Sequence, residues 1–297
     1  NWLVDILDSK DIAEKVYRET KWYLFPILRN KALQFNESLT PEWLDKIDKK
    51  VLTTIFLLSE WEEATDKELI SLLSDKKYDD FLEELIELEK QEDSPIRKIS
   101  NVWQIISKND LWIFVKDEIN ELVLKKLKFV SEIALSDLDP REDLPLEDRW
   151  MANILTDKRP EFSSRSKMWL SDSLALLSII DDDNIQITIN NIVSEILYSE
   201  KNISKLLNSI RWNTENIAEA SPKIFLKFIN DNINKLEWIF EQTGWIMWGS
   251  GSYINLLWAL ERLSWNEDYV GDVINILFKL ANRYDWNIAD NYSNRPL

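Results

Sequence analysis

The chain has 297 residues, 45% of them hydrophobic, with 53 acidic against 36 basic side chains and a formal net charge of −17. That apolar fraction can fill a core and excludes a disordered tail, and the charge opposes duplex DNA and anionic membranes unless a local basic patch overrides it. With no histidine and no cysteine, disulfides, thiolate chemistry and His-dependent nucleophile systems are excluded.

The start, NWLVDILDSKDIAEK, lacks the charged, apolar and small-residue order of a signal peptide. No apolar run reaches the roughly 18 to 20 residues that span a bilayer, so a soluble, cytoplasmic protein is expected. The chain opens on Asn1 and stops at Asn294-Arg295-Pro296-Leu297, where a turn leads toward another element; it reads as part of a longer protein. Residues 1–45 are read as a helical lead-in. Thr40-Pro41 places a capping hydroxyl before a proline at the first helical position.

Val51, Leu52, Ile55, Phe56 and Leu58 predict a first helix. Thr65 with Glu68 reads as a capping box opening a second over Asp66 to Ser74. Tyr78, Phe81, Leu82, Leu85 and Leu88 form the stripe of a third, Lys77 to Lys90. Then the period changes. Pro95 to Ser100 and Val102 to Ser107 are short β-branched segments joined at Ser100-Asn101, which reads as a hairpin. Three helices followed by a hairpin is the order of a winged helix, with Asn109 to Ile119 packing behind it, so 46–118 is read as a winged-helix-like domain.

Helix-turn-helix units commonly place such a third helix in the major groove. Here it carries Asp79, Asp80, Glu83, Glu84, Glu87 and Glu89 against Lys77 and Lys90, so insertion would bring carboxylates toward phosphates. The basic clusters at Arg29 and Lys31, Lys46 to Lys50 and Lys125 to Lys128 have acidic neighbours and read as solvated helix faces. The expectation is a wing that packs against protein, with no nucleic-acid or membrane partner.

From Glu121 onward helix follows helix across short polar links at Asp139-Pro140-Arg141, Asp157 to Glu161 and Asp181 to Asn184, with a further Ser-Pro helix start at Ser221-Pro222. No regular repeat period emerges. Residues 119–297 are read as an irregular helical-hairpin array, truncated at its C-terminal end. The fold class is mainly all-α: a winged helix with one small β-hairpin, then a repeat-like helical array.

No motif in this chain supplies catalytic chemistry. Gly244-Trp245-Ile246-Met247-Trp248-Gly249-Ser250 has two glycines at phosphate-loop spacing, but Ser250 stands where the lysine belongs and the preceding segment reads as helix. Asp181-Asp182-Asp183 lacks a further aspartate at the spacing of a magnesium-binding terpene-synthase motif and reads as a solvated loop. The 53 acids offer too many pairs to single out a glycoside-hydrolase couple. Trp22, Trp43, Trp61, Trp112, Trp150, Trp169 and Trp212 stand among apolar residues and are expected in the core. Six of the fifteen tryptophans fall between Trp238 and Trp286, which makes that region the first choice for a contact surface. Trp, Tyr and Arg dominate binding hot spots, and the candidate protein-binding residues are Trp245, Trp248, Tyr253, Trp258 and Arg262.

Ile99 to Asp110 with Trp112, then Leu144 to Trp150, Asn255 to Trp265 and Asn294-Arg295-Pro296-Leu297 resemble successive blocks of large bacterial STAND-type NTPases, a group that includes antiviral defence proteins. The resemblance runs from about Lys50 to the end; Tyr253 stands where the family pattern has a histidine. It implies an ATPase core and an effector upstream of Asn1, with ATP and magnesium bound there and no cofactor, metal or catalytic residue in this chain. It also implies that the helical region senses a partner protein, a phage protein in antiviral members, and regulates the ATPase. Two other classes remain open: an acidic winged-helix transcription regulator and a helical-toroid glycan enzyme.

Overall fold

A computed structural model describes residues 41, 43–91, 94–144, 148, 151, 159–236 and 252–283. After a 3-10 turn at Leu44–Lys46, helix α1 spans Lys49–Leu58. Asp48 caps it by accepting from the Lys50 N–H at 2.8 Å, and every residue from Val51 to Leu58 is buried. Strand β1, Glu60–Glu62, follows at once. Helices α2 (Lys67–Ser74) and α3 (Tyr78–Glu89) precede the hairpin strands β2 (Ile96–Ile99) and β3 (Val102–Ile105). The sheet is antiparallel in the order β1-β3-β2, and helix–strand–helix–helix–hairpin is the winged-helix arrangement.

The expected hairpin is present, with Ile99 paired to Val102 across Ser100-Asn101. Ser100 adopts a φ of 57°, the left-handed conformation that lets two residues close the turn. Strand β1 is an addition to the sequence reading. Its residue Trp61 pairs with Trp103 on β3, both rings fully buried and stacked 6.5 Å apart, with Phe81 of α3 edge-on to Trp61. The winged helix thus closes on an aromatic centre that α3 covers from one side.

Helix α4 (Lys108–Val115) packs on α1 and runs into a 3-10 turn at Lys116–Glu118. Helix α5 (Glu121–Leu135), capped by Asn120 accepting from Leu122 and Val123, packs on α2. Helix α6 (Ser164–Leu177) sits at the centre, against α1, β1, α5 and α9 (Thr214–Ala220). Helix α7 (Asp183–Tyr198) lies on α5, and after α8 (Ile203–Ser209) the array continues through α9 and α10 (Pro222–Asn232) to α11 (Ser252–Ser264) and α12 (Glu267–Arg283). Among the described residues there are twelve α-helices and this one small sheet, and the buried apolar side chains form one cluster from Trp43 to Leu280.

Asp66 fastens the winged helix to the array, and Asp137 ties the end of α5 to α6 within the array. Asp66 has no solvent exposure and accepts from the Glu62 N–H (2.7 Å), the Ser163 N–H (2.9 Å), the Ser163 hydroxyl (2.6 Å) and the Ser166 hydroxyl (3.0 Å). Ser163 is also the N-cap of α6, accepting from Ser166 N–H at 3.1 Å. Asp137, after α5, accepts from the Lys167 ammonium at 2.7 Å and from the Glu161 and Phe162 N–H groups. On β1, Glu60 takes the Trp169 indole N–H at 2.8 Å and a guanidinium N–H of Arg165.

These contacts correct three expectations. The Thr65–Glu68 capping box does not form: Asp66 is the N-cap residue of α2 and its side chain makes no cap bond, because Ser163 and Ser166 claim it. Ser221 does precede Pro222 at the start of α10 but leaves its hydroxyl donating to Asn190 Oδ1 at 2.6 Å instead of capping. Trp212 is not in the core; it is 58% exposed on the 3-10 turn Arg211–Asn213. Trp43, Trp61 and Trp112 are buried and Trp169 is half-buried, while Trp22, Trp150 and Thr40 lie outside the described residues.

Because Asp66 satisfies four donors in a dry site, Asp66→Ala should cost about 3 kcal/mol or more in urea unfolding, from donors left without acceptors. Thr65→Ala, at an exposed position, should stay within about 0.5 kcal/mol. A second test uses acid. The hydrogen bond from Lys126 holds the Asp75 carboxyl below its ordinary 3.8. Burial would raise Asp48, but the bonds from Lys76 and the Lys50 N–H outweigh it and hold it low as well. A lowered folded value stabilises above the unfolded one and is lost as pH falls through the folded one. The urea midpoint should therefore drop between about pH 5 and about pH 3, and the drop should shrink in a Lys76→Met, Lys126→Met variant.

Candidate protein-binding surface

Helix α11 is amphipathic: Leu256, Ala259, Leu260 and Leu263 are buried, and the helix lies against α9 and the Arg211–Asn213 turn. Two polar contacts fix its position. Asn255, 3% exposed, donates to the Arg211 carbonyl at 2.6 Å. Arg262 forks onto α9, with Nη2 at 2.9 Å from Glu215 and Nη1 at 3.0 Å from Glu219, whose side chain is fully buried.

The opposite face carries Trp258 (41% exposed) and Glu261, one turn apart, and Trp265 (43% exposed) follows in the turn after α11. Trp212, on the turn beneath α11, lies under the Arg211 guanidinium at 5.3 Å from its ring centre. Helix α12, packed on α10 and α11, buries Val273, Ile276 and Leu280 and leaves Ile274 60% and Phe278 65% exposed, one turn apart. The last two helices and the turn between them therefore carry two exposed indoles, an aliphatic and an aromatic side chain.

Of the candidates read from sequence, Trp245 and Trp248 lie outside the described residues, as does the loop around Gly249. Tyr253 begins α11, with its side chain outside what is described. Trp258 is at the surface. Arg262 is 20% exposed and engaged in holding α11 to α9. Trp212, Ile274 and Phe278 were not among the candidates. The signal for α12 was legible: Val273, Ile274, Ile276, Leu277, Phe278 and Leu280 are too many apolar residues for one stripe, so a second face had to be bare or covered by another element. Trp212 had none, since a three-residue turn has no periodicity.

A cleft of ≈ 500 Å³ lies where α6, α7 and the α9–α10 junction meet, lined by Ser178, Gln186, Asn190, Glu219, Ser221 and Tyr269 among others. Among its polar groups, Ser221 donates to Asn190 and Glu219 pairs with Arg262. Burial, then the nearby Asp268, pushes the Tyr269 phenol upward, so it stays protonated at neutral pH. Asp182 of the aspartate run caps α7, accepting from Asn184 and Ile185 N–H groups. Among the described residues no group of His, Cys, Asp or Glu could hold a metal ion.

Neither the known protein families, nor the curated proteins, nor the solved structures yield a match to this chain.

The geometry separates two roles on one helix. Arg262→Ala leaves the buried Glu219 carboxylate without its cation and should cost about 3 kcal/mol in urea unfolding. Trp258→Ala, which removes a ring already half in water, should cost about 1 kcal/mol or less; a loss as large as that of Arg262→Ala would place Trp258 in the core.

Proposed function

We propose that this chain is a non-catalytic sensor and scaffold region of a bacterial STAND-type NTPase, which recognises a partner protein through the exposed end of its array and regulates an ATPase elsewhere in the protein. The observation that carries this reading is the exposure of large apolar side chains on the last two described helices and the turn between them. Trp258, Trp265, Ile274 and Phe278 are each at least two-fifths exposed, and such side chains fit the aromatic centre of a protein interface. The Asp66 fastening supports the regulatory half. It joins the winged helix to α6 through buried hydrogen bonds, so a load on the array reaches the winged helix through stiff contacts rather than a linker.

The transcription-regulator reading is disfavoured by the exposed face of α3, where Asp79, Asp80, Glu83 and Glu87 would meet phosphate. Phage challenge of bacteria expressing the full-length protein tests the proposal. Protection against at least one phage is expected, lost in a Trp258→Ala, Trp265→Ala double variant whose melting is little changed. Absence of protection across a broad phage panel counts against the STAND reading; protection indifferent to both indoles counts against this surface. Saturable, salt-sensitive duplex binding by the purified protein would favour the regulator.

A further inference from the structure

Helix α3 borders a groove of ≈ 430 Å³ between itself and the Leu44–Lys46 turn. Its apolar floor is Trp43, Ile47 and Leu88, and Glu83, Glu84 and Glu87 rise along the α3 side. We propose that this groove is a docking site for a basic segment of a partner protein, in which an arginine or lysine lays its aliphatic stem on the floor and its charge against Glu83 and Glu87. The inference does not depend on the STAND reading.

The occupant follows from charge complementarity. Glu84 is engaged by Lys76, which also reaches Asp48 at 2.9 Å. Among the described residues the Glu87 carboxylate has only the exposed i,i+3 pair with Lys90, a contact of little worth that another cation can replace. No hydrogen bond or ion pair reaches the carboxylates of Glu83, Asp79 or Asp80 among the described residues. Asp79 with Glu83, and Glu83 with Glu87, are like charges one turn apart, an arrangement that destabilises a helix until a cation comes between them. The groove's own cation is Lys46, exposed on the opposite rim. A neutral apolar peptide would desolvate these carboxylates without compensation, whereas a long basic side chain matches both floor and rim.

Fluorescence anisotropy with a labelled peptide alternating arginine and leucine tests this on the intact chain. Saturable binding that weakens with salt is expected, and a matched glutamate–leucine peptide should not bind. Glu83→Gln with Glu87→Gln should weaken binding by about tenfold or more with melting unchanged or slightly raised. Asp181→Asn with Asp183→Asn changes the net charge equally, at an exposed site in the array, and should have little effect. Replacing the peptide's arginines with diaminobutyrate, which keeps the charge but shortens the stem, should also weaken binding. The proposal is overturned by absence of saturable binding, by equal losses in the two double variants, or by indifference to stem length.

Discussion

The arrangement depends on a carboxylate that has no cation beside it. Asp66 is fully buried, and an ionised carboxylate in a dry site is costly unless its lone pairs are filled. Four donors fill them, two from backbone and two from hydroxyls. Each donor belongs to an element whose position matters. Glu62 ends β1, and β1 pairs with β3, so the bond to its N–H sets the edge of the sheet. Ser163 and Ser166 form the first turn of α6, so the same carboxylate sets where the central helix begins. Glu60, at the other end of β1, repeats the attachment with Arg165 and Trp169. A three-residue strand too short to be stable alone is thereby held at both ends by one helix.

That dependence explains which parts of the fold were legible in the sequence. The stripes of α1, α2 and α3 and the change of period at the hairpin are local signals, and each element formed where its pattern placed it. Strand β1 was missed because Glu60-Trp61-Glu62 offers a single inward side chain and its pairing partner is on β3. The Thr65–Glu68 box matched a local rule that a distant partner overrode: Asp66 answers to Ser163, 97 positions along the chain. Ser221 is the same case, with its hydroxyl taken by Asn190 on α7. Hydroxyls and short carboxylates serve caps or tertiary contacts equally well, and only the fold decides between them. At the candidate surface the bias toward Trp and Arg pointed to α11 but could not separate its faces. Trp258 looks outward while Arg262, one turn later, grips α9.

Charge is distributed with a direction. In the winged-helix part, Lys76 joins Asp48 and Glu84, Lys98 joins Glu63 while lying over the Trp103 ring, and Lys126 on α5 reaches Asp75 at the end of α2. These lysines bridge elements, so much of the local positive charge is spent inside the molecule. The outward carboxylates of α3 have no such partners. A net charge of −17 is therefore not spread evenly; it leaves the helix that DNA-binding winged helices place in the major groove as an acidic ridge.

The acidic groove and the apolar array end would contribute differently to association. Burying Trp258, Trp265, Ile274 and Phe278 more completely would each yield about 1 to 2 kcal/mol, because these side chains are already partly covered. The sum corresponds to a few powers of ten in affinity before the costs of ordering are subtracted. Exposed carboxylates add less at equilibrium but act over about a Debye length, near 10 Å at moderate salt, and so raise the encounter rate with a cationic partner. High salt should accordingly slow association at the groove while leaving dissociation from the array end nearly unchanged. The buried hydrogen bonds of Asp66 are screened little by salt, so the connection between α6 and the winged helix persists at ionic strengths that weaken the attraction at the groove.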